Sequence, residues 1–327
     1  MNLLRKTLIL AFVSIVISIH TIGHAQEQAQ QKAILVTGAS SGLGLKMTEV
    51  LSKNGFFVYA GVLHKHEMKA LNAMDNVAAV QFDVRKPRQI KKAVKFVEKQ
   101  GRGLYGLINN AGVAVFGPML EMPMEQLHYQ IDVNVFGPFR VTQAFAPMIM
   151  ESKGRIVTTG SIAGILASPM FGAYGMSKHA IEAYTDSLAQ EMARFGVSVH
   201  VIEPGNYASN IGKSAKQLIE KKNYWTTDSL YKQDREYVLG RLDQVIQGPD
   251  PIDVALAALH SMQSDTPKTR YMVTAIASEA EATVRRQISK MLELNQGQPH
   301  EFDRARLIEM LDEEIAKKST SAIPAAK

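Results

Sequence analysis

"AILVTGASSGLG" runs from Ala33 to Gly44 and joins two kinds of chain. Ala33–Thr37 is apolar or β-branched at nearly every position, without the alternation of a half-exposed strand. That texture suits a strand inside a parallel sheet with both faces covered. Gly38, Gly42 and Gly44 then sit where the strand turns sharply toward a helical stretch at 43–53. Glycines at such a corner permit the tight turn and let backbone N–H groups approach a phosphate at the helix N-terminus. The spacing, Gly-x-x-x-Gly-x-Gly, differs from the usual Gly-x-Gly-x-x-Gly fingerprint of dinucleotide sites.

Working outward, the same alternation repeats. Short apolar runs stand at 33–37, 56–62, 78–82, 104–109, 155–160 and 197–203, with helical stretches at 43–53, 66–74, 87–100, 124–150 and 173–195 between them. Strand and helix alternating at this period argue for βαβ units. The expected fold class is therefore α/β: a doubly wound, Rossmann-type, mainly parallel sheet with helices on both faces. Residues 33–275 read as one domain, with a helical cover over a site at about 206–248. Residues 276–327 read as two charged amphipathic helices and a loose tail.

Composition fits a globular protein, at 46% hydrophobic and 21% charged residues of 327. The net charge of +6 is densest in "RKPRQIKKAVKFVEK" (85–99). Its apolar residues Ile90, Val94 and Val97 recur at helical spacing, so it reads as the solvated face of an amphipathic helix and not as a nucleic-acid surface. The chain has no cysteine, which excludes disulfides and thiolate metal sites. His64 and His66 lack a third ligand at suitable spacing, so no metal is expected.

Five further motifs follow the glycine corner in order. They are "FDV" (82–84), "NNAG" (109–112), Asn134 in "DVNVFG", Ser161 in "GSIAG" with "YGMSK" (174–178) thirteen positions later, and "EPG" (203–205). Singly each has a plain structural reading as a strand end, a turn or a locally bonded amide. In this order and at these separations, across residues 33–273, they resemble the short-chain dehydrogenase/reductase family. "YAGVL" and "PKTRYMV" (267–273) are similar to its hydroxysteroid and retinol dehydrogenase branch.

The resemblance implies an NAD(P)-dependent oxidoreductase acting on a small alcohol or ketone. Gly38, Ser40, Ser41, Gly42, Leu43, Gly44, Asp83, Val84, Asn110, Ala111, Gly112, Pro204 and Gly205 would hold the cofactor, with Tyr174 and Lys178 touching it as well. Asn134, Ser161, Tyr174 and Lys178 would form the catalytic set. Tyr174 would exchange the proton, with Lys178, one helical turn on, lowering its pKa by favouring the phenolate. Ser161 would orient the substrate oxygen, and Asn134 would hold a water linked to Lys178. In "VYAGVLHKHE" neither Val62 nor Leu63 is charged, which leans toward NAD over NADP. Met119, Met122, Met170, Phe171, Tyr207 and Trp225 suggest an apolar pocket and a hydrophobic, steroid- or retinoid-like secondary alcohol or ketone. Two alternatives stay open: a dinucleotide-binding sensor or scaffold without turnover, and an epimerase or dehydratase. The family also implies a homo-oligomer, a dimer or tetramer, through the helices at 124–150 and 173–195.

The N-terminus carries a separate message. "MNLLRK" is basic, residues 7–19 are apolar and uncharged, and "GHA" (23–25) offers small residues for cleavage. This is the pattern of a signal peptide over 1–25 and implies a periplasmic or secreted protein; uncleaved, residues 7–22 would be a membrane anchor.

Overall fold

The computed structural model describes residues 31–226 and 228–321; the predicted signal or anchor lies outside them. Seven strands, β1 (Ala33–Thr37), β2 (Phe57–Val62), β3 (Val77–Gln81), β4 (Gly106–Asn109), β5 (Arg155–Thr159), β6 (Ser198–Pro204) and β7 (Arg270–Val273), form one sheet. Its order is β3-β2-β1-β4-β5-β6-β7, and every pairing is parallel. β1 lies inside the sheet, next to its central strand β4, with Val36 in register with Ala60 of β2 and Ile108 of β4. All five of its residues are buried, which is why its sequence does not alternate. β7 adds an edge strand beyond the six apolar runs of the sequence: it is four residues long, and Met272 is exposed.

The helices, in chain order, are α1 (Gly42–Lys53), α2 (Met68–Leu71), α3 (Pro87–Lys99), α4 (Met124–Asn134), α5 (Phe136–Glu151), α6 (Gly172–Ala193), α7 (Asn210–Lys222), α8 (Lys232–Ile246), α9 (Ile252–Gln263), α10 (Ala277–Asn295) and α11 (Arg304–Ser321). They cover both faces of the sheet. Met47 and Leu51 of α1 and Val254, Ala258 and Met262 of α9 pack on Ile34, Val36 and Val58. Ile90 and Val97 of α3, with Val141, Phe145 and Ile149 of α5, pack on Leu35, Leu107 and Ile156. Fully burying a side chain of this size stabilises by about 1.5–3 kcal/mol. The basic residues of α3 stay outside, since its buried residues are Ile90, Ala93 and Val97.

The single helix expected over 124–150 is two. It breaks at Val135, whose backbone sits at φ −110°, ψ −61°. Pro138, three residues on, has no N–H to offer the carbonyl of Asn134, so the ladder cannot run straight through. Beyond β6, α7 and α8 pack against each other over a cluster of Phe116, Ala215, Ile219, Trp225, Val238 and Leu242. Met170, Phe171 and Tyr174 border that cluster from below.

Candidate active site

A sheet of this order reverses winding direction between β1 and β4, and a crevice opens there beyond the carboxyl ends of the strands. In this molecule it is a cleft of about 840 Å³. Every residue expected from the motifs, Asn134 excepted, lines it: Gly38 and Ser40 to Gly44, Asp83, Val84, Asn110 to Gly112, Ser161, Tyr174, Lys178, Pro204 and Gly205.

The glycine corner is closed by packing that no side chain could share. A Cβ on Gly44 would lie 2.1 Å from the Gly38 carbonyl oxygen, and one on Gly38 would lie 2.9 Å from Ala111 Cα. Gly38 and Gly42 also take φ of +67° and +52°, where glycine has no steric penalty. "NNAG" locks the corner from β4. The Asn110 side-chain amide donates to the carbonyls of Thr37 (3.0 Å) and Gly38 (3.3 Å), while Thr37 Oγ1 accepts from the backbone N–H groups of Asn110 and Ala111. The cradle so formed, with the N-terminus of α1 behind it, fits a pyrophosphate.

Asp83 is held by Arg85, whose Nη2 and Nε donate to its carboxylate at 2.7 and 3.1 Å. Burial raises the Asp83 pKa, but these contacts outweigh it, and the carboxyl ends below its usual range.

Helix α6 carries Tyr174 and Lys178 one turn apart. Lys178 is buried, its Nζ lying 5.6 Å from the centre of the Tyr174 ring and donating to Thr159 O at 2.8 Å. Burial pushes this ammonium down to about 8, against Glu182, which works to raise it. Burial likewise raises the Tyr174 phenol, and the hydrogen bond with Ser161 only partly offsets that. Ser161 Oγ caps the short turn after β5, accepting from Ala163 N–H at 3.0 Å.

Asn134 stands apart from the cleft wall. Its Oδ1 accepts from Val113 N–H at 2.8 Å and its Nδ2 donates to Val113 O and Ser177 Oγ, so both amide hydrogens are engaged. Gln130, buried one turn before it, bonds to the same Ser177 and to Val113 and Val115.

Two groups at the cleft escaped sequence reading. Phe116 packs on Phe171 and Tyr174 with ring centres 4.4 and 5.8 Å apart. Glu67 lines the cleft at the end of β2, and its Oε2 accepts from His64 N–H at 2.8 Å. Its signal was the His64-x-x-Glu67 spacing of a capping box, which brings a carboxylate to a stretch that reads as uncharged. His64 and His66 stack on each other, with ring centres 5.5 Å apart. Among the described residues no group of three or more His, Cys, Asp or Glu could hold a metal.

Comparison with known proteins points to one family. A family model described as short chain dehydrogenase matches residues 32–219. The chain is 35% identical to bovine (Bos taurus) mitochondrial D-beta-hydroxybutyrate dehydrogenase, over 73% of this chain and 76% of that protein. It is 40% identical to estradiol 17-beta-dehydrogenase 2 of Rattus norvegicus, over 55% of this chain and 49% of that protein. The crystal structure of a short chain dehydrogenase/reductase from Burkholderia phymatum, in complex with NAD, superposes with a TM-score of 0.70 at 21% identity, covering 84% of this chain and 99% of that one. The last comparison bears on the fold alone.

Proposed function

The chain belongs to the short chain dehydrogenase family and is an NAD(P)-dependent oxidoreductase of the hydroxysteroid- and retinol-dehydrogenase-like branch, and from that premise we propose that it interconverts a secondary alcohol and a ketone with Tyr174 as general acid and base. The observation that carries the reading is the convergence of Ser161, Tyr174, Lys178, Pro204 and Gly205 on the same cleft as the glycine cradle. Bound there, the nicotinamide supplies or accepts the hydride. The residues of the chain do the rest. The turn from Gly38 to Gly44, Asp83, Val84 and Asn110 to Gly112 hold the cofactor. Ser161 orients the substrate oxygen. Tyr174 gives that oxygen a proton in reduction and removes one in oxidation. A phenol raised by burial is fully protonated near neutrality, so it is ready to act as the acid; oxidation needs it to lose that proton first. Lys178, charged below about pH 8, favours the phenolate against the cost of burying it. Asn134 acts behind them by fixing Ser177 and the Val113 loop that follows β4.

The substrate reading is a hydrophobic secondary alcohol or ketone, supported by Phe116, Met170, Phe171 and Tyr207 along the cleft. A second reading, a short hydroxy acid, has support from Arg241 of α8, which lines the same cleft and would meet a carboxylate. Cofactor preference is proposed to be NAD, because the Glu67 carboxylate would accept from a ribose hydroxyl and repel a 2′-phosphate. A homo-oligomer is proposed through α4, α5 and α6, where Met124, Phe136, Phe139 and Met176 are exposed; light scattering after gel filtration gives its size.

One experiment tests the core. NADH formation is followed with steroid-like alcohols, small polar alcohols and 3-hydroxybutyrate, for wild type and Tyr174→Phe. We expect a loss of turnover of about 10²–10⁴-fold in the variant with NAD affinity within threefold. NAD binding without any Tyr174-dependent turnover would favour a sensor or scaffold. Oxidation of 3-hydroxybutyrate alone, abolished in Arg241→Met, would favour the hydroxy acid.

A further inference from the structure

Helix α10 is packed the reverse of an ordinary surface helix. Glu279, Thr283, Arg286 and Lys290, spaced four, three and four residues apart, are buried or half-buried. Val284, Ile288 and Leu292 point outward at 49%, 48% and 48% exposure. Apolar burial therefore does not hold this helix against the domain at these positions; polar contacts do, and they fall on two particular loops. Toward its N-terminus, the Glu279 carboxylate accepts from the side-chain amide of Asn206 and, at 3.4 Å, from its backbone N–H. A Cβ on Gly205 would lie 2.2 Å from Glu279 Oε2, so the Glu279 carboxylate sits directly against this turn. Eleven residues on, Lys290 Nζ donates to Ile165 O at 2.7 Å and lies 3.3 Å from His179 Nε2. The other ring nitrogen, Nδ1, donates to Gly175 O at 2.9 Å, which leaves the Nε2 lone pair facing the ammonium.

We propose that Glu279 and Lys290 are positioning residues, with α10 acting as a rigid bar that fixes the Gly205–Asn206 turn and the 162–165 segment at a set separation across the mouth of the cleft. The inference rests on the reading of Ser161, Tyr174 and Gly205 as the reacting end. Ile165 lies four residues after Ser161, His179 follows Lys178, and Asn206 follows the turn lining the nicotinamide end. Eleven residues of helix span about 16 Å, and that length does not stretch. Each tie is partly solvated and modest alone. Because both end on one helix, releasing either lets the helix tilt and loosens both loops. Neither residue touches the reacting atoms, so their loss shows in binding and geometry more than in the proton step.

The test uses the full chain with Glu279→Gln, Lys290→Met and the conservative Lys290→Arg. Amide hydrogen exchange in 162–168 and 204–211 is expected to quicken about tenfold in Lys290→Met and Glu279→Gln, while β1 and β4 keep wild-type rates. NAD dissociation constants and the alcohol KM should rise about three- to tenfold, with kcat changed less than threefold, and Lys290→Arg should return each value toward wild type. Wild-type exchange in 162–168 of Lys290→Met overturns the proposal. So does faster exchange accompanied by unchanged NAD affinity and KM. Wild-type protein that shows no Tyr174-dependent turnover sinks the functional reading instead. In that event loop exchange and NAD affinity decide the proposal, by the same outcomes.

Discussion

Around Gly38 and Asn110 the cleft is closed by tightly packed main chain; between Tyr207 and Leu242 it is lined by side chains of two helices outside the sheet. On the first wall the glycine corner, the Asn110 amide and Thr37 interlock with no spare volume. On the second, Ile211 of α7 and Leu242 of α8 line the cleft and, with Trp225 from the loop between them, cluster with Phe116, Phe171 and Tyr174. A wall of backbone holds the part of a ligand that never varies, and a wall of exchangeable side chains sets which substrate fits. The first should fail abruptly when altered and the second should adjust.

The sharpest way to break that contrast is Gly44→Ala. With its new methyl 2.1 Å from the Gly38 oxygen, we expect either insoluble protein or a loss of NAD affinity above about 100-fold, read by thermal melting and titration. Tolerance within threefold would mean the corner relaxes and the wall is not rigid. On the other side, Trp225→Ala removes a fully buried ring. It should cost roughly 3–5 kcal/mol and lower Tm by roughly 5–12 °C, raising KM for bulky apolar alcohols more than for NAD. Equal effects on both ligands would erase the distinction between the walls.

Glu67→Gln probes the place where a side chain intrudes on the backbone wall. We expect NAD affinity to fall about tenfold, the value of one charged hydrogen bond, with NADP affinity unchanged or improved. A further effect lies outside both walls and touches stability alone. His200, buried in β6, bonds to Lys268 O and Ser198 Oγ, and burial pushes it down to about 4 from an ordinary 6.5. Because the unfolded chain takes up this proton first, stability is full above about pH 6.5 and falls as pH drops toward 4, by at most about 3 kcal/mol. His200→Gln should flatten the acid limb of Tm against pH.

The two walls also differ in how far the sequence discloses them. The sheet was legible because burial on both faces leaves a continuous apolar run, as in β1, and because glycine at 38, 42 and 44 answers a steric demand that no other residue meets. β7 was not legible, since four residues on an edge carry too little pattern. The break at Val135 was hidden because proline near a helix start is usually harmless. Tyr174, Lys178 and Ser161 were found by spacing, but the balance of burial against charge on the phenol depends on what packs around it, and Phe116 arrives from a loop 58 residues away. Glu67 was missed because its role comes from bonding back to His64, and the inward polar face of α10 because a helix pattern does not say which side meets the domain.

The account turns on whether the Tyr174 hydroxyl carries the proton in a site where burial opposes its ionisation. The most direct measurement is the rate of alcohol oxidation at saturating NAD across about pH 6 to 10, for wild type and Tyr174→Phe. The wild-type rate should climb with pH as the phenol gives up its proton, and the variant should be flat and lower by at least about 10²-fold. A variant that keeps both the rate and the climb would contradict it.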